Sequence, residues 1–236
     1  MTGQARGAQG LSAIKPDVNS RRRLLHFMLV YSTAMEATGF VAAGGLSSRM
    51  GRDKGLLELD GVTLVEHVIK ALSAAVRDVT IISNNSEYLR FGLPVIADTH
   101  HEVGPLEAIR TALANASSPV VILCACDTPF VTAKLFEFLR DQSTGFDSAV
   151  PLDEKGMLEP LCAVYARAAL DPATDLILNG RRKVSELLER VRTRTIPFGD
   201  FSHLPGARNF FRNINTPEEY DRTVEAHSRR GNEAPQ

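Results

Sequence analysis

Ala42-Ala43-Gly44-Gly45-Leu46-Ser47-Ser48-Arg49-Met50-Gly51-Arg52-Asp53-Lys54 follows a short apolar run, Phe40-Val41, and precedes Gly55-Leu56-Leu57. An apolar run that ends in two adjacent glycines reads as a buried strand feeding a loop. Glycine has no Cβ to hold a phosphate away, so successive main-chain amides can turn inward as an anion nest. Arg49 and Lys54 place two mobile cations on the same loop. A lone Gly-Gly is more often a basic surface turn, but glycines, hydroxyls and two cations in one stretch favour polyphosphate. The stretch is neither a Walker A loop, lacking Gly-Lys-Ser/Thr, nor a dinucleotide fingerprint, lacking Gly-x-Gly-x-x-Gly.

Outward from the loop, residues 38–43 form the strand that leads into it. Residues 56–62 read as a hairpin with its turn at Asp60-Gly61. Leu64, Val65, Val68, Ile69 and Leu72 have helical spacing and predict a helix over 63–75, with Glu66 and Lys70 as a solvated pair one turn apart. A second strand over 78–82 turns out through Ser83-Asn84-Asn85. Another strand, over 94–97, ends at Asp98, and Gly104-Pro105-Leu106 opens a helix reaching residue 115, with proline in its first turn. Residues 120–124 are the most apolar run of the chain and predict a central strand, ending at Cys126-Asp127-Thr128-Pro129-Phe130.

The second half is less regular. Strands are expected over 148–151, 161–165 and 194–196, helices over 167–179 and 183–191, and an edge strand over 211–215. Thr216, Pro217 and Glu219 carry the marks of a capped helix start. Strands alternating with helices imply an α/β fold with a doubly wound parallel sheet, whose ligands sit off the carboxyl ends of the strands. The glycine loop, residues 83–85, Asp98 and Asp127 all follow strands and therefore converge on one edge.

Asp127 ends the most apolar strand, where an unpartnered buried carboxylate is expensive. Magnesium takes one or two carboxylates and completes its octahedron with phosphate oxygens and water. A helix N-cap for the segment from Thr132, or a turn aspartate, explains the residue equally well.

Composition bounds the rest. The chain has 236 residues, enough for one substantial domain, and a net charge of −1, so no global field favours nucleic acid or an anionic membrane. Neither is expected as a partner. Three cysteines, Cys124, Cys126 and Cys162, make no disulfide framework and fit a reducing, cytoplasmic compartment. Cys124-x-Cys126 is read as buried strand sequence in preference to half a zinc site. Residues 1–34 differ in composition from the remainder. Arg21-Arg22-Arg23 before an apolar stretch through Tyr31 mimics a secretory leader, but the stretch is far below the ~20 residues of a membrane span. The expected organisation is an extension over 1–34, either disordered or the product of an upstream start, a single domain over 35–228, and a flexible tail over 229–236.

The loop closely resembles the signature Leu-Ala-Gly-Gly-x-Ser-x-Arg-Met-Gly-x-Asp-Lys of the molybdenum cofactor guanylyltransferases, with Ala42 where leucine is usual. That family belongs to the nucleotidyltransferase superfamily. The resemblance implies a Rossmann-like, nucleotide-diphospho-sugar transferase-like, three-layer α/β/α fold with a mostly parallel sheet. It extends over about residues 39–223. Cys126-Asp127-x-Pro129-Phe130 is similar to the family's metal strand and implies Mg2+ on Asp127. Asp98 with Gly104-Pro105-Leu106 resembles its second nucleotide-side segment, Glu159-Pro160-Leu161-x-Ala163-Val164-Tyr165 its pterin-side strand, Gly180-Arg181-Arg182-Lys183-Val184 its basic helix entry, and Asn213-Ile214-Asn215-Thr216-Pro217 its closing motif.

What the resemblance implies is transfer of GMP from GTP to the terminal phosphate of molybdopterin, with Arg49, Lys54 and Asp127 as catalytic residues. The nucleotide is expected on Ala42, Ala43, Gly44, Gly45, Lys54, Ser83, Asn85, Asp98 and Asp127, with Asn215 as a candidate second metal ligand. Ser83, where the family often has Asn, and Asn85 offer polar groups to a guanine edge. The product implies a hand-off to molybdoenzyme-delivery or cofactor-insertion proteins. Gly44-Gly45 and the Cys-Asp-Thr-Pro strand end favour the guanylyl over the related cytidylyl branch. Other readings are a sugar-phosphate nucleotidyltransferase and a non-catalytic nucleotide-binding adaptor.

Overall fold

Phe40 and Val41 are neighbours in the chain, yet in the computed structural model their side chains enter two different cores. Both are fully buried. A strand alternates its side chains between faces, so one that is apolar at every position must be covered on both. The structure describes residues 36–44, 53–98 and 104–214; the expected extension over 1–34, the expected tail and the capped helix start at Thr216 lie outside them.

The strand in question, β1 (Ala37–Ala42), is flanked by β4 (Asp78–Ile82) and β6 (Val120–Ala125), both parallel to it. With β5 (Val95–Ile96), β7 (Ser148–Pro151), β8 (Cys162–Ala166) and β9 (Thr193–Ile196) they build a seven-stranded sheet in the order β5-β4-β1-β6-β8-β7-β9. Only β8 runs against its neighbours. It follows β7 through a short excursion closed by a Leu152↔Leu158 bridge, which has no helix to carry a parallel crossover. The mixed sheet is mostly parallel, as expected.

The hairpin β2 (Glu58–Leu59) and β3 (Val62–Thr63) forms at the expected turn, with φ of 55° at Asp60 and 75° at Gly61. Two positive φ values in succession match the right-handed twist of a two-residue hairpin, and Asp-Gly tolerates them. Helix α1 (Leu64–Ser73) follows at once. Glu66 does not simply face solvent: its carboxylate accepts from the Thr63 N–H at 2.9 Å and from the Thr63 hydroxyl at 2.6 Å, capping the helix.

Helices α2 (Pro105–Asn115), α4 (Leu170–Leu178) and α5 (Val184–Arg190) cover one face, burying Leu106, Ile109, Leu176 and Leu187 against Phe40, Leu123 and Tyr165. The other face carries α1, α3 (Ala133–Gln142) and the short α6 (Phe198–Phe201), with Val68, Leu135, Phe136 and Phe201 packed on Val41, Ile81 and Ile122. The result is three layers, α/β/α. Thr132, whose hydroxyl accepts from the Leu135 N–H, caps α3, so the N-cap role weighed for Asp127 falls to Thr132.

The edge strand expected over 211–215 is not formed in its described part. Phe210 and Ile214 are fully buried four positions apart, Ile214 against Leu59 and Leu64, and the Ile214 N–H donates to the Asp127 carbonyl at 3.2 Å. The segment is drawn under the loop after β6, away from the sheet edge, which β9 occupies.

Candidate functional site

The chain runs from β1 outward to β4 and β5, then crosses back to β6 on the other side of β1. Such a reversal opens a crevice at the carboxyl ends of the central strands. Main-chain bonds continue past the strand ends and hold its floor: Ala43 N–H to the Ile82 carbonyl at 2.9 Å and Cys126 N–H to the Ala42 carbonyl at 3.0 Å. A cleft of about 280 Å³ sits there. Ala42, Ala43, Gly44, Asp53 and Lys54 line it together with Ala125, Cys126, Asp127 and Leu161. Gly104, Pro105 and Ala108 close it at the start of α2.

Two of the expected catalytic residues meet in this cleft. The Lys54 ammonium stands 3.7 Å from Asp127 Oδ2, with both side chains mostly buried. Burial pushes the Asp127 carboxyl above the ordinary carboxylate range, and the neighbouring Lys54 offsets only part of that. Glu159 is pushed up to about 7, first by burial and then by the charges of Asp153 and Asp127. The negative charge of Asp127 is thus only partly offset by Lys54 and is felt as far as Glu159.

The remaining expected residues fall into three groups. Asp98 is buried close to the glycine loop, since a Cβ on Gly44 would lie 4.0 Å from its Oδ2. Its N–H donates to Asn84 Oδ1 at 3.2 Å, and the Thr111 hydroxyl donates to its Oδ1 at 3.4 Å. Ser83 and Asn85, expected to meet the base, have their polar groups engaged within the protein. The Ser83 hydroxyl donates to the Ala43 carbonyl at 2.9 Å and accepts from the Asn85 N–H. The Asn85 amide donates to Asp53 at 3.0 Å, while its oxygen accepts from the Glu87 N–H. In this conformation both side chains shape the loops. Gly45, Arg49 and Asn215 lie outside the described residues.

Cys124 and Cys162 are opposite one another on β6 and β8 and fully buried, as expected of strand residues. Among the described residues no three metal-binding side chains gather. Asp53 lines the cleft without having been named a site residue from the sequence. The signal for Asp53 was present, because an acid just before a short helical turn, here Lys54–Leu56, is an N-cap; its oxygen accepts from the Gly55 N–H.

Comparisons with known proteins agree with this fold. Residues 39–195 match the family described as the MobA-like NTP transferase domain. A probable molybdenum cofactor guanylyltransferase of Carboxydothermus hydrogenoformans is 31% identical over 80% of this chain and 95% of its own length. One from Pelotomaculum thermopropionicum is 33% identical over 78% and 90%. Among solved structures, molybdopterin-guanine dinucleotide biosynthesis protein A of Archaeoglobus fulgidus superposes with a TM-score of 0.70 at 29% identity, over 81% of this chain and 99% of that one. The family match over residues 39–195 and these relatives place the chain in the MobA-like NTP transferase domain family, among the molybdenum cofactor guanylyltransferases.

Proposed function

We propose that this protein transfers GMP from GTP to the terminal phosphate of molybdopterin, forming molybdopterin guanine dinucleotide and pyrophosphate. The observation that carries the reading is the Lys54–Asp127 pair, a cation and a mostly buried carboxylate that line the same cleft. A phosphate oxygen of the acceptor attacks the α-phosphorus in line, forming one P–O bond as the bond to the bridging oxygen breaks, and pyrophosphate leaves with the electron pair. No side-chain nucleophile is needed, so catalysis consists of positioning and charge stabilisation. Main-chain amides after β1 and Arg49 hold the β- and γ-phosphates. Lys54 faces the α-phosphate and the charge that develops on the leaving group.

The donor set fits magnesium. Asp127 offers a carboxylate, and Asn213 Oδ1, next in the chain to the residue bonded to the Asp127 carbonyl, is buried without a hydrogen-bond partner among the described residues. Hard oxygens of this kind suit a cation that completes its shell with phosphate and water. Bound magnesium supplies positive charge to the phosphate oxygens. Asp127 would hold it, and Lys54 would neutralise the oxygens it leaves uncovered. Asn215, outside the described residues, is a further candidate ligand.

Incubation of the purified chain with GTP, Mg2+ and molybdopterin, followed by mass analysis of the pterin, tests the reading. Molybdopterin guanine dinucleotide is the expected product. Unchanged molybdopterin beside a folded, GTP-binding protein would contradict it and favour an adaptor.

A further inference from the structure

Asp53 is held from three directions by donors. The Tyr88 hydroxyl donates to its Oδ1 at 2.6 Å, the Gly55 N–H donates to the same oxygen at 3.1 Å, and the Asn85 amide donates to Oδ2 at 3.0 Å. Tyr88 has no exposed surface, and burial drives its hydroxyl far above the ordinary tyrosine pKa, so it remains a donor. Gly55 is buried against it: a Cβ there would collide with the Tyr88 hydroxyl and press on Cys126. The short helical turn that begins at Lys54 is therefore laid directly on a buried tyrosine, with the Asp53 carboxylate as the latch.

This arrangement joins two loops that are distant in sequence. Asp53 and Lys54 belong to the loop after β1, while Asn85 and Tyr88 follow β4. Lysine is a compact charge on a long flexible stem, so its ammonium is only as well placed as the main chain that carries it. Resting on the reading that Lys54 meets the phosphates of GTP, we propose that Asp53 is a positioning residue: fixed by Tyr88, Asn85 and Gly55, it locks the turn from which Lys54 reaches toward Asp127. Asn85 then acts on the reaction through Asp53. The loop after β4 and the lysine after β1 are thereby tied into one unit.

The donor pattern supplies a test. A carboxylate accepts all three bonds, whereas the amide of Asp53→Asn has one acceptor oxygen and must turn its NH2 toward that of Asn85. Small displacements of a reacting group can cost about 100-fold in rate, so kcat should fall on the order of 10- to 100-fold in Asp53→Asn while the GTP dissociation constant changes little. Adding Asn85→Asp to the same chain restores the pattern, because the amide introduced at 53 donates to the carboxylate introduced at 85. The double variant should recover most of the lost kcat. Tyr88→Phe, which keeps the buried ring, should lower kcat in the same direction and serves if Asp53→Asn folds poorly. Hydrogen exchange of the Gly55 amide in the ligand-free full-length protein should accelerate in Asp53→Asn and slow again in the double variant.

A double variant no better than Asp53→Asn alone, or a loss confined to GTP or Mg2+ affinity, would overturn the proposal and place Asp53 on the ligand itself. If the wild-type chain released no pyrophosphate from GTP, the reading of function would fail on its own, and Gly55 exchange would still decide the latch. Exchange indifferent to all three variants would overturn it.

Discussion

Lys54 Nζ and Asp127 Oδ2 face each other at 3.7 Å from the loops that follow β1 and β6. That distance is too long for a good hydrogen bond, and the carboxyl keeps a raised affinity for protons despite the lysine. The pair attracts without being closed. Asp127 presents a carboxylate to a cation and Lys54 an ammonium to a phosphate oxygen, so a metal-bound phosphate would satisfy both.

Removal of the lysine should act on the chemical step. Negative charge grows on the leaving pyrophosphate as the bond breaks, so a cation aimed there contributes more in the transition state than in the ground state. Loss of one preorganised donor of this kind costs about 100- to 1000-fold, and Lys54→Ala should lose kcat on that scale with little change in GTP affinity. Single-turnover kinetics separates the two. Weakened binding with intact saturated turnover would make Lys54 a tether.

Asp127→Asn should keep the fold and lose the reaction. The carboxylate is penalised by burial, and an amide of equal size removes that penalty. The melting temperature at neutral pH should be no lower than wild type, while turnover and its dependence on Mg2+ should largely disappear. Normal activity with an unchanged magnesium requirement would remove Asp127 from the metal site.

Glu159 should make stability depend on pH. Its carboxyl is raised from 4.5 to about 7 in the folded chain, so between those values the native state holds the proton and the unfolded state does not. Stability from this group is full below 4.5 and is lost as pH rises through about 7. Glu159→Gln should flatten the fall in melting temperature over this window and exceed wild type at pH 8. A wild-type profile that rises over the same window would contradict the assignment.

Arg49 is expected on the terminal phosphates from the sequence. Arg49→Ala should weaken GTP binding, with Arg49→Lys only partly restoring it because the planar fork is lost. Equilibrium titration with GTP measures both. An unchanged dissociation constant in Arg49→Ala would place the arginine elsewhere.

The parts of this site that were legible in the sequence are those carried by local pattern. The apolar runs before Gly44 and Asp127 are central strands, and their ends bring Lys54 to Asp127. Asp60-Gly61 fixed a hairpin through the backbone conformations those residues tolerate. What depends on tertiary partners was not legible. Ser83 and Asn85 have the chemistry to read a base, but main-chain and carboxylate partners far along the chain take up their polar groups. Tyr88 gives no local sign that it lies under Asp53, 35 positions earlier. Phe211 to Ile214 reads as a short edge strand only until the burial of Phe210 and Ile214 is seen to serve the loop after β6.

The most direct test of the central claim is pyrophosphate release measured with each of the four ribonucleoside triphosphates and Mg2+, with and without molybdopterin, and with sugar 1-phosphates as alternative acceptors. The account predicts release from GTP alone among the nucleotides, and only when molybdopterin is present. Release with CTP, or with a sugar 1-phosphate and not with molybdopterin, would contradict it.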